Sequence, residues 1–447
     1  MKKDLTSGSV FKTIIFFSLP YLLSYFLQTL YGMADLLIIG IYGNVSDTSA
    51  VSVGSQIMHM ITVIIVGLAM GTTVCIAQAV GGKEAKKASQ SIGNSILIFA
   101  VFSVALTVLL MFLIRPIVLL ISTPAEAVDK TVQYLTVCVL GIPFITAYNV
   151  ISSIFRGIGD SKSPMFFIGA ACFFNIVLDF IFMGIFKMGP TGAALGTTLS
   201  QAFSVVLSLI FIMRKDTGIS VKKDDFKPDS EVVSKILKIG IPIALQDGLI
   251  QIAFVVITVI ANIRGLTDSA AVGIVEKIIS FIFLVPSTML SSVSALGAQN
   301  IGAKKPQRAI LTLKYAVFTA AGFGIAVSIL MQFAAKPVVG LFTDNSEVIH
   351  SGAQYLKGYI FDCILAGIHF SFSGYFCAIG RSDLSFIHNI LSIAFVRIPV
   401  VYLASKMFSE TLFPMGLATA AGSLVSVIIC IIMFKWLGRK APEKQTV

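Results

Sequence analysis

Asp35 stands at the end of Gln28-Thr29-Leu30-Tyr31-Gly32-Met33-Ala34-Asp35, inside a long apolar run near the N-terminus. A charge at mid-bilayer costs about 2.5–3.5 kcal/mol on insertion scales, so such an acid must face protein or water rather than lipid. On a helix, Gln28, Tyr31 and Asp35 fall at i, i+3 and i+7 and share one face. A second acid, Asp179, lies four residues after Asn175 in another apolar run, again on one face. Two carboxylates with amide and phenol neighbours make a site for reversible binding of a proton, or of a sodium ion at Asp35. The other use of such residues is a hydrogen-bonded cluster that ties helices together. Intramembrane acids favour the ion site. A buried carboxylate beside a second one is costly to ionise, which suits loading an ion on one side and releasing it on the other, with Asp35 the main carrier.

The elements that must hold these residues are membrane spans. The sequence is 56% hydrophobic and 12% charged, against roughly 25% charged in soluble domains. Apolar runs long enough to cross a hydrocarbon core, about 20 residues as helix, recur along its whole length. Alternating segments of about 10 residues, the mark of an outer-membrane barrel, are missing. The expected fold is an all-α integral membrane protein with twelve spans, near 11–41, 50–80, 91–113, 132–155, 165–186, 192–213, 233–263, 270–299, 309–333, 352–378, 386–406 and 412–437. The first run follows Lys2-Lys3 but continues past Pro20 with no small-residue cleavage site, so it reads as a span and not a signal peptide.

The spans repeat. Ala77-Gln78-Ala79-Val80-Gly81-Gly82-Lys83 is answered 221 positions later by Ala298-Gln299-Asn300-Ile301-Gly302-Ala303-Lys304. Gly159 in Arg156-Gly157-Ile158-Gly159 answers Gly380, and Pro20 answers Pro242 within one residue. The halves are expected at 1–213 and 233–447, joined by a polar linker at 214–232 that contains Lys222-Lys223-Asp224-Asp225. An even number of spans in each half makes this a parallel repeat. The repeated Ala-Gln-x-x-Gly-x-Lys segments read as structural ends of long helices.

Charge distribution orients the chain. With the N-terminus cytoplasmic, the inner side collects Lys2, Lys3, Lys83, Lys86, Lys87, Arg156, Lys215, Lys222, Lys223, Lys304, Lys305, Arg308 and Lys444 among others. The outer side keeps only Arg115, Lys130, Lys187, Arg264, Lys336 and Lys406. Both termini are therefore expected in the cytoplasm of a cell whose plasma (inner) membrane the chain crosses repeatedly. The net charge of +11 is a topology signal, and a nucleic-acid partner is excluded.

Other residues carry less. The second half has Val256 or Ile257 where Asp35 would repeat and Val400 where Asp179 would, but it holds Asp247, Glu276, Asp362 and Arg397. These four serve equally well as internal ion pairs or as secondary functional groups. Pro20 removes a backbone hydrogen bond from the helix that carries Asp35; it is either a fixed kink or a hinge. The six cysteines lie singly in apolar segments, with no disulfide or metal spacing. His59, His350, His369 and His388 form no i, i+4 metal pair, and no phosphate loop or nucleophile elbow is present. An enzyme, even a membrane-embedded one, is not expected, nor is a cofactor or a bound metal beyond that sodium.

With these residues in view, the sequence resembles the multidrug and toxin extrusion (MATE) family over nearly its whole length. The resemblance rests on twelve spans, the six-plus-six repeat, the early proline and the repeated Ala-Gln-x-x-Gly segments. The surroundings of Gln28, Tyr31, Asp35, Asn175 and Asp179 resemble the bacterial branch whose cation site lies in the N-terminal lobe. By that resemblance Tyr134, Asn149 and Thr197 line the same cavity, although simple helix–helix hydrogen bonding would explain Tyr134 and Thr197 equally well. Another branch places acids in its seventh and tenth spans, where this chain has Ile250 and roughly Ile368. The resemblance implies two pseudo-symmetric six-helix bundles around a V-shaped cavity, and a monomeric antiporter. Its activity would be export of small amphipathic, cationic drugs or toxins across the lipid bilayer in exchange for inward protons or sodium. The same superfamily shape serves flippases and exporters of lipid-linked sugars or polysaccharide. The scarcity of basic residues within the spans disfavours that anionic cargo, and the lopsided polar pattern disfavours a channel.

Overall fold

The computed structural model describes residues 5–121, 123–214, 219 and 221–440. Lys2, Lys3, Lys215 and Lys444 of the orientation argument, and parts of the expected linker, lie outside the described residues. Every regular element among the described residues is helical. The first half contains α1 (Val10–Tyr42), α2 (Val45–Gly81), α3 (Ala85–Leu120), α4 (Ala125–Leu140), α5 (Ile142–Gly157), α6 (Lys162–Asp179) and α7 (Gly189–Arg214). The second contains α8 (Ser230–Arg264), α9 (Leu266–Ile282), α10 (Leu284–Gly302), α11 (Pro306–Gly340), α12 (Ser346–Tyr359), α13 (Phe361–Ala378), α14 (Ser382–Ser392), α15 (Ile398–Met407) and α16 (Phe413–Lys440).

Eleven helical spans among the described residues are long and apolar enough to cross a membrane, and the bent pair α4–α5 makes a twelfth. Helices of 33–37 residues such as α1, α2 and α3 run about 50 Å at 1.5 Å per residue, well beyond a hydrocarbon core of about 30 Å. This is why the spans extend several residues past their apolar runs. The span expected at 132–155 is two helices meeting at 46°. Pro143, in the first turn of α5, has no N–H to return to α4, so the ladder must stop there and restart. The span at 270–299 is divided between α9 and α10 at Phe283. The eleventh span contains a π-turn, Ile393–Arg397, between α14 and α15.

The described residues form two compact units, one made of residue 5 with 16–240 and the other of 6–15 with 241–440. In the first, Tyr134, Leu135 and Cys138 of α4 bury against Val51, Met58 and Ile65 of α2, with Ile38 and Ile39 of α1. In the second, Tyr355, Tyr359 and Cys363 pack among Ile257, Val275, Ile279 and Met331. The repeat is visible in the backbone itself. Lys83 and Lys304 both adopt left-handed geometry, at φ 58 and 57°, after the helices that end their Ala-Gln segments. Gly159 and Gly380 match at φ 94 and 76°, a region that costs a side chain and not a glycine.

The segment that enters the first helix of each half is tied down by the third-span helix of its unit. In the first unit the Asn94 side chain donates to the carbonyls of Asp225 and Lys227 (3.4 and 3.3 Å) and accepts from the Asp229 amide at 2.9 Å. In the second, Arg308 donates to the carbonyls of Gly8 and Ser7 at 2.9 and 3.1 Å, and Lys305 to Thr6 at 2.8 Å.

Candidate functional site

Asp35, on α1, is buried, and its Oδ2 accepts a 2.9 Å hydrogen bond from Thr197 Oγ1 of α7. Asp179, the last residue of α6, lies within hydrogen-bonding reach of Asp35, and Asn175 lies alongside both carboxyls. Three helices, α1, α6 and α7, thus bring the two sequence-predicted acids together, 144 positions apart in the chain (179 − 35). Both oxygens of Asp179, both amide atoms of Asn175 and Oδ1 of Asp35 are buried, and no donor or acceptor among the described residues completes a hydrogen bond to them. Two bare carboxylates cannot hydrogen-bond to each other. One proton between them supplies the missing donor, and a small cation would neutralise the same repulsion.

Two local features make the pairing possible. Gly196 leaves the space that Asp179 occupies: a Cβ at position 196 would sit 2.1 Å from Asp179 Oδ1 and 3.5 Å from Asn175 Nδ2. Immediately after Asp179, the helix widens into a π-turn, Phe180–Ile185, a form that recurs at functional sites because it re-aims neighbouring side chains. Gln201, one turn beyond Thr197 on α7, is buried and donates to Tyr31 Oη at 3.4 Å. Neither Gly196 nor Gln201 was singled out from sequence. The signal was there for Gln201, since Thr197 and Gln201 form an i, i+4 polar pair in an apolar helix; nothing in the sequence marks Gly196 among its neighbouring glycines.

The remaining candidates of the first unit are more dispersed. Tyr31 is half-buried on the Asp35 face, and Gln28 shares that face. Tyr134 is buried with its ring against Gly54, where a Cβ would come within 2.3 Å of Cδ1, and its hydroxyl is beside Cys138. Asn149 is buried but donates to the Ile145 carbonyl of its own helix at 2.8 Å. Pro20 is buried within α1, which continues through it as one helix, and its carbonyl accepts from Ser24 Oγ at 2.8 Å.

In the second unit the candidates form two groups. Arg397, at the end of the π-turn, donates to Asp362 Oδ2 at 3.0 Å and to Tyr359 Oη at 2.8 Å. Glu276 accepts from Thr258 Oγ1 at 3.0 Å. A small cavity with a mixed, mainly apolar lining opens beside Arg397, bordered in part by Phe254, Phe283, His369 and Asn389. Asp247 stands apart from this group, next to Gln246 on α8. Among the described residues, no group of three or more His, Cys, Asp or Glu side chains converges as metal ligands do.

The comparisons with known proteins agree with this architecture. The MatE family profile matches twice, at residues 20–181 and 242–403, opening on Pro20 and on Pro242. The chain is similar to the "Probable multidrug resistance protein YpnP" of Bacillus subtilis, 28% identical over 415 residues that cover 93% of each chain. It is also similar to the multidrug export protein MepA of Staphylococcus aureus, 27% identical over 429 residues, 95% of this chain and 94% of the other. In fold it superposes on a multidrug resistance MATE family transporter of the MOP superfamily, solved in an outward-facing conformation, with a TM-score of 0.91 and 23% identity over 100% of this chain and 99% of that one. With its family profile repeated in each half, the chain belongs to the MatE family of multi-pass membrane transporters, which are not enzymes.

Proposed function

We propose that this chain is a secondary antiporter that exports amphipathic, cationic compounds in exchange for inward protons, with Asp35 and Asp179 as the exchanging pair. The observation that carries this reading is the pair itself: two carboxyls meeting in a helix bundle, with Thr197 on one, a glycine making room for the other, and no cation among the described residues paired with either. Drug export is supported by the names of relatives such as the multidrug export protein MepA. Both termini are cytoplasmic in this reading, the lobes are 1–213 and 233–447 about the 214–232 linker, and the monomer is the working unit.

Exchange follows from the repulsion. An unprotonated pair attracts a cationic cargo, whose charge also suits the ring face of Tyr31. Protonation removes that attraction and releases the cargo, so the two ligands occupy the site in turn. Thr197 Oγ1 can donate to Asp35 while it is charged, and Asn175, with both donor and acceptor, can turn toward either form. One proton driven through about 150 mV supplies roughly 3.5 kcal/mol, enough for a few hundredfold accumulation of a neutral cargo. For a singly charged cation exchanged against one proton the potential cancels, and the pH difference alone drives export.

Proteoliposomes with a proton gradient and a sodium gradient imposed separately test this reading. Efflux of a cationic dye driven by the proton gradient alone is expected. Drive by sodium alone replaces the proton in the proposal, and no efflux of any cationic dye or drug under either gradient overturns it in favour of lipid-linked cargo.

A further inference from the structure

Arg156 falls in the last turn of α5 and reads from sequence as one of the inner-side charges that set orientation, for which exposure to water would be ordinary. It is instead 6% exposed, and it forms no ion pair with a carboxylate among the described residues. Its guanidinium carbon lies 3.8 Å from the centroid of the Tyr21 ring and 5.9 Å from that of Tyr25. The two rings are themselves 5.2 Å apart. Both distances from the guanidinium are within the range of a cation–π contact. Tyr21 is the residue directly after Pro20, and Tyr21, Tyr25, Gln28, Tyr31 and Asp35 descend one stripe of α1 at spacings of three and four.

The frame behind Arg156 is tight. Gly157, its neighbour, lies so close to α2 that a Cβ there would be 2.9 Å from Ile76 Cβ and 3.0 Å from the Thr73 carbonyl. Thr73 Oγ1 also donates to the Ser153 carbonyl at 3.2 Å. The arginine therefore reaches from a closely packed α2–α5 pair to the turn of α1 that follows the proline, where no backbone hydrogen bond from Pro20 supports the helix.

We propose that Arg156 is a positioning residue for α1: laid on the Tyr21 ring, it docks the turn after Pro20 against α5 and so sets where the helix carries Asp35. The choice of partner matters. A buried ion pair is hard to open because separation strands a charge. A guanidinium on a ring face can part from it at smaller cost, so the contact can open and close as α1 moves in a transport cycle. The inference rests on the reading of Asp35 as the coupling acid, but the docking can be measured without any coupling.

The test uses the full-length chain with nitroxides on Leu23→Cys of α1 and Phe166→Cys of α6, both exposed positions; the six native cysteines are buried and stay unlabelled. Electron–electron resonance reads the distance between the labels. A narrow single distance is expected in the parent protein and in Tyr21→Phe, which keeps the ring face. Arg156→Gln and Tyr21→Leu should each broaden or split it, the double variant no further than either single one, and Arg156→Lys should restore it in part. Proton-driven efflux should fall about tenfold in Arg156→Gln and Tyr21→Leu and recover in Tyr21→Phe and Arg156→Lys. An unchanged distance in Arg156→Gln, or equal damage from Tyr21→Phe and Tyr21→Leu, overturns the proposal. If Arg156→Gln does not fold, the Tyr21 pair alone decides. Asp35→Asn should keep the parent distance, so failure of the docking and failure of the proton reading appear in different measurements.

Discussion

Replacing Gly196 with alanine adds one methyl group at the point where the two acids meet. That carbon would sit 2.1 Å from Asp179 Oδ1 and 3.3 Å from its Cγ, where ordinary contact begins at 3.4 Å. The carboxyl must therefore retreat by about 1 Å, because α7 is itself held in place by its Thr197–Asp35 hydrogen bond. The effect on stability is small: forcing in a methyl costs about 1–3 kcal/mol, and alanine in place of glycine in a helix returns up to about 1 kcal/mol. The effect on exchange is large. A proton shared between two oxygens needs them about 2.5–3.0 Å apart, and a 1 Å displacement of a functional group can cost about a hundredfold in rate. The assay compares proton-driven dye efflux in proteoliposomes with thermal unfolding of the same preparation. Efflux should fall by about ten- to a hundredfold while the unfolding temperature changes by only a few degrees. Asp179→Ala in the Gly196→Ala background should relieve the crowding and restore the unfolding temperature without restoring efflux. Wild-type efflux in Gly196→Ala would refute the argument that the space at 196 sets the pair.

Thr197→Val keeps the shape of the side chain and deletes the donor to Asp35; a hydrogen bond to a charged group is worth about 1.5–3 kcal/mol, so proton-driven efflux should drop about tenfold or more at unchanged expression. Asp362→Asn weakens the buried partner of Arg397, and breaking such a pair costs about 3–5 kcal/mol; a lower unfolding temperature is expected, largely recovered by the apolar pair Asp362→Leu with Arg397→Met. Pro20→Ala restores a backbone donor within α1 and should slow turnover without lowering the unfolding temperature; normal turnover would make Pro20 a static bend.

The scaffold was legible because its determinants are local. Hydrophobic length marks the spans, and the matched Lys83 and Lys304, or Gly159 and Gly380, mark the repeat down to the same left-handed backbone. Pro143 could have announced the break within the fourth span. Asp35 and Asp179 stood out because a charge in an apolar run is costly wherever it points. What could not be read is who meets whom across helices. Gly196 matters for the carboxyl that fills its missing side chain, and sequence spacing carries no trace of that. Arg397 finds Asp362 35 positions away, and Arg156, counted only as an inner-side charge, lies buried on Tyr21.

The central claim is that Asp35 carries the exchanging proton. The direct measurement is proton influx and dye efflux recorded together in proteoliposomes holding the Asp35→Asn protein, with its unfolding temperature as a check on folding. The asparagine can neither take up nor release a proton, so the account predicts a folded protein in which a proton gradient drives no efflux and dye moves no protons, whereas Asp247→Asn retains most of both. Undiminished, proton-driven efflux by the Asp35→Asn protein would contradict the account and move the exchange site to Glu276 and Asp362.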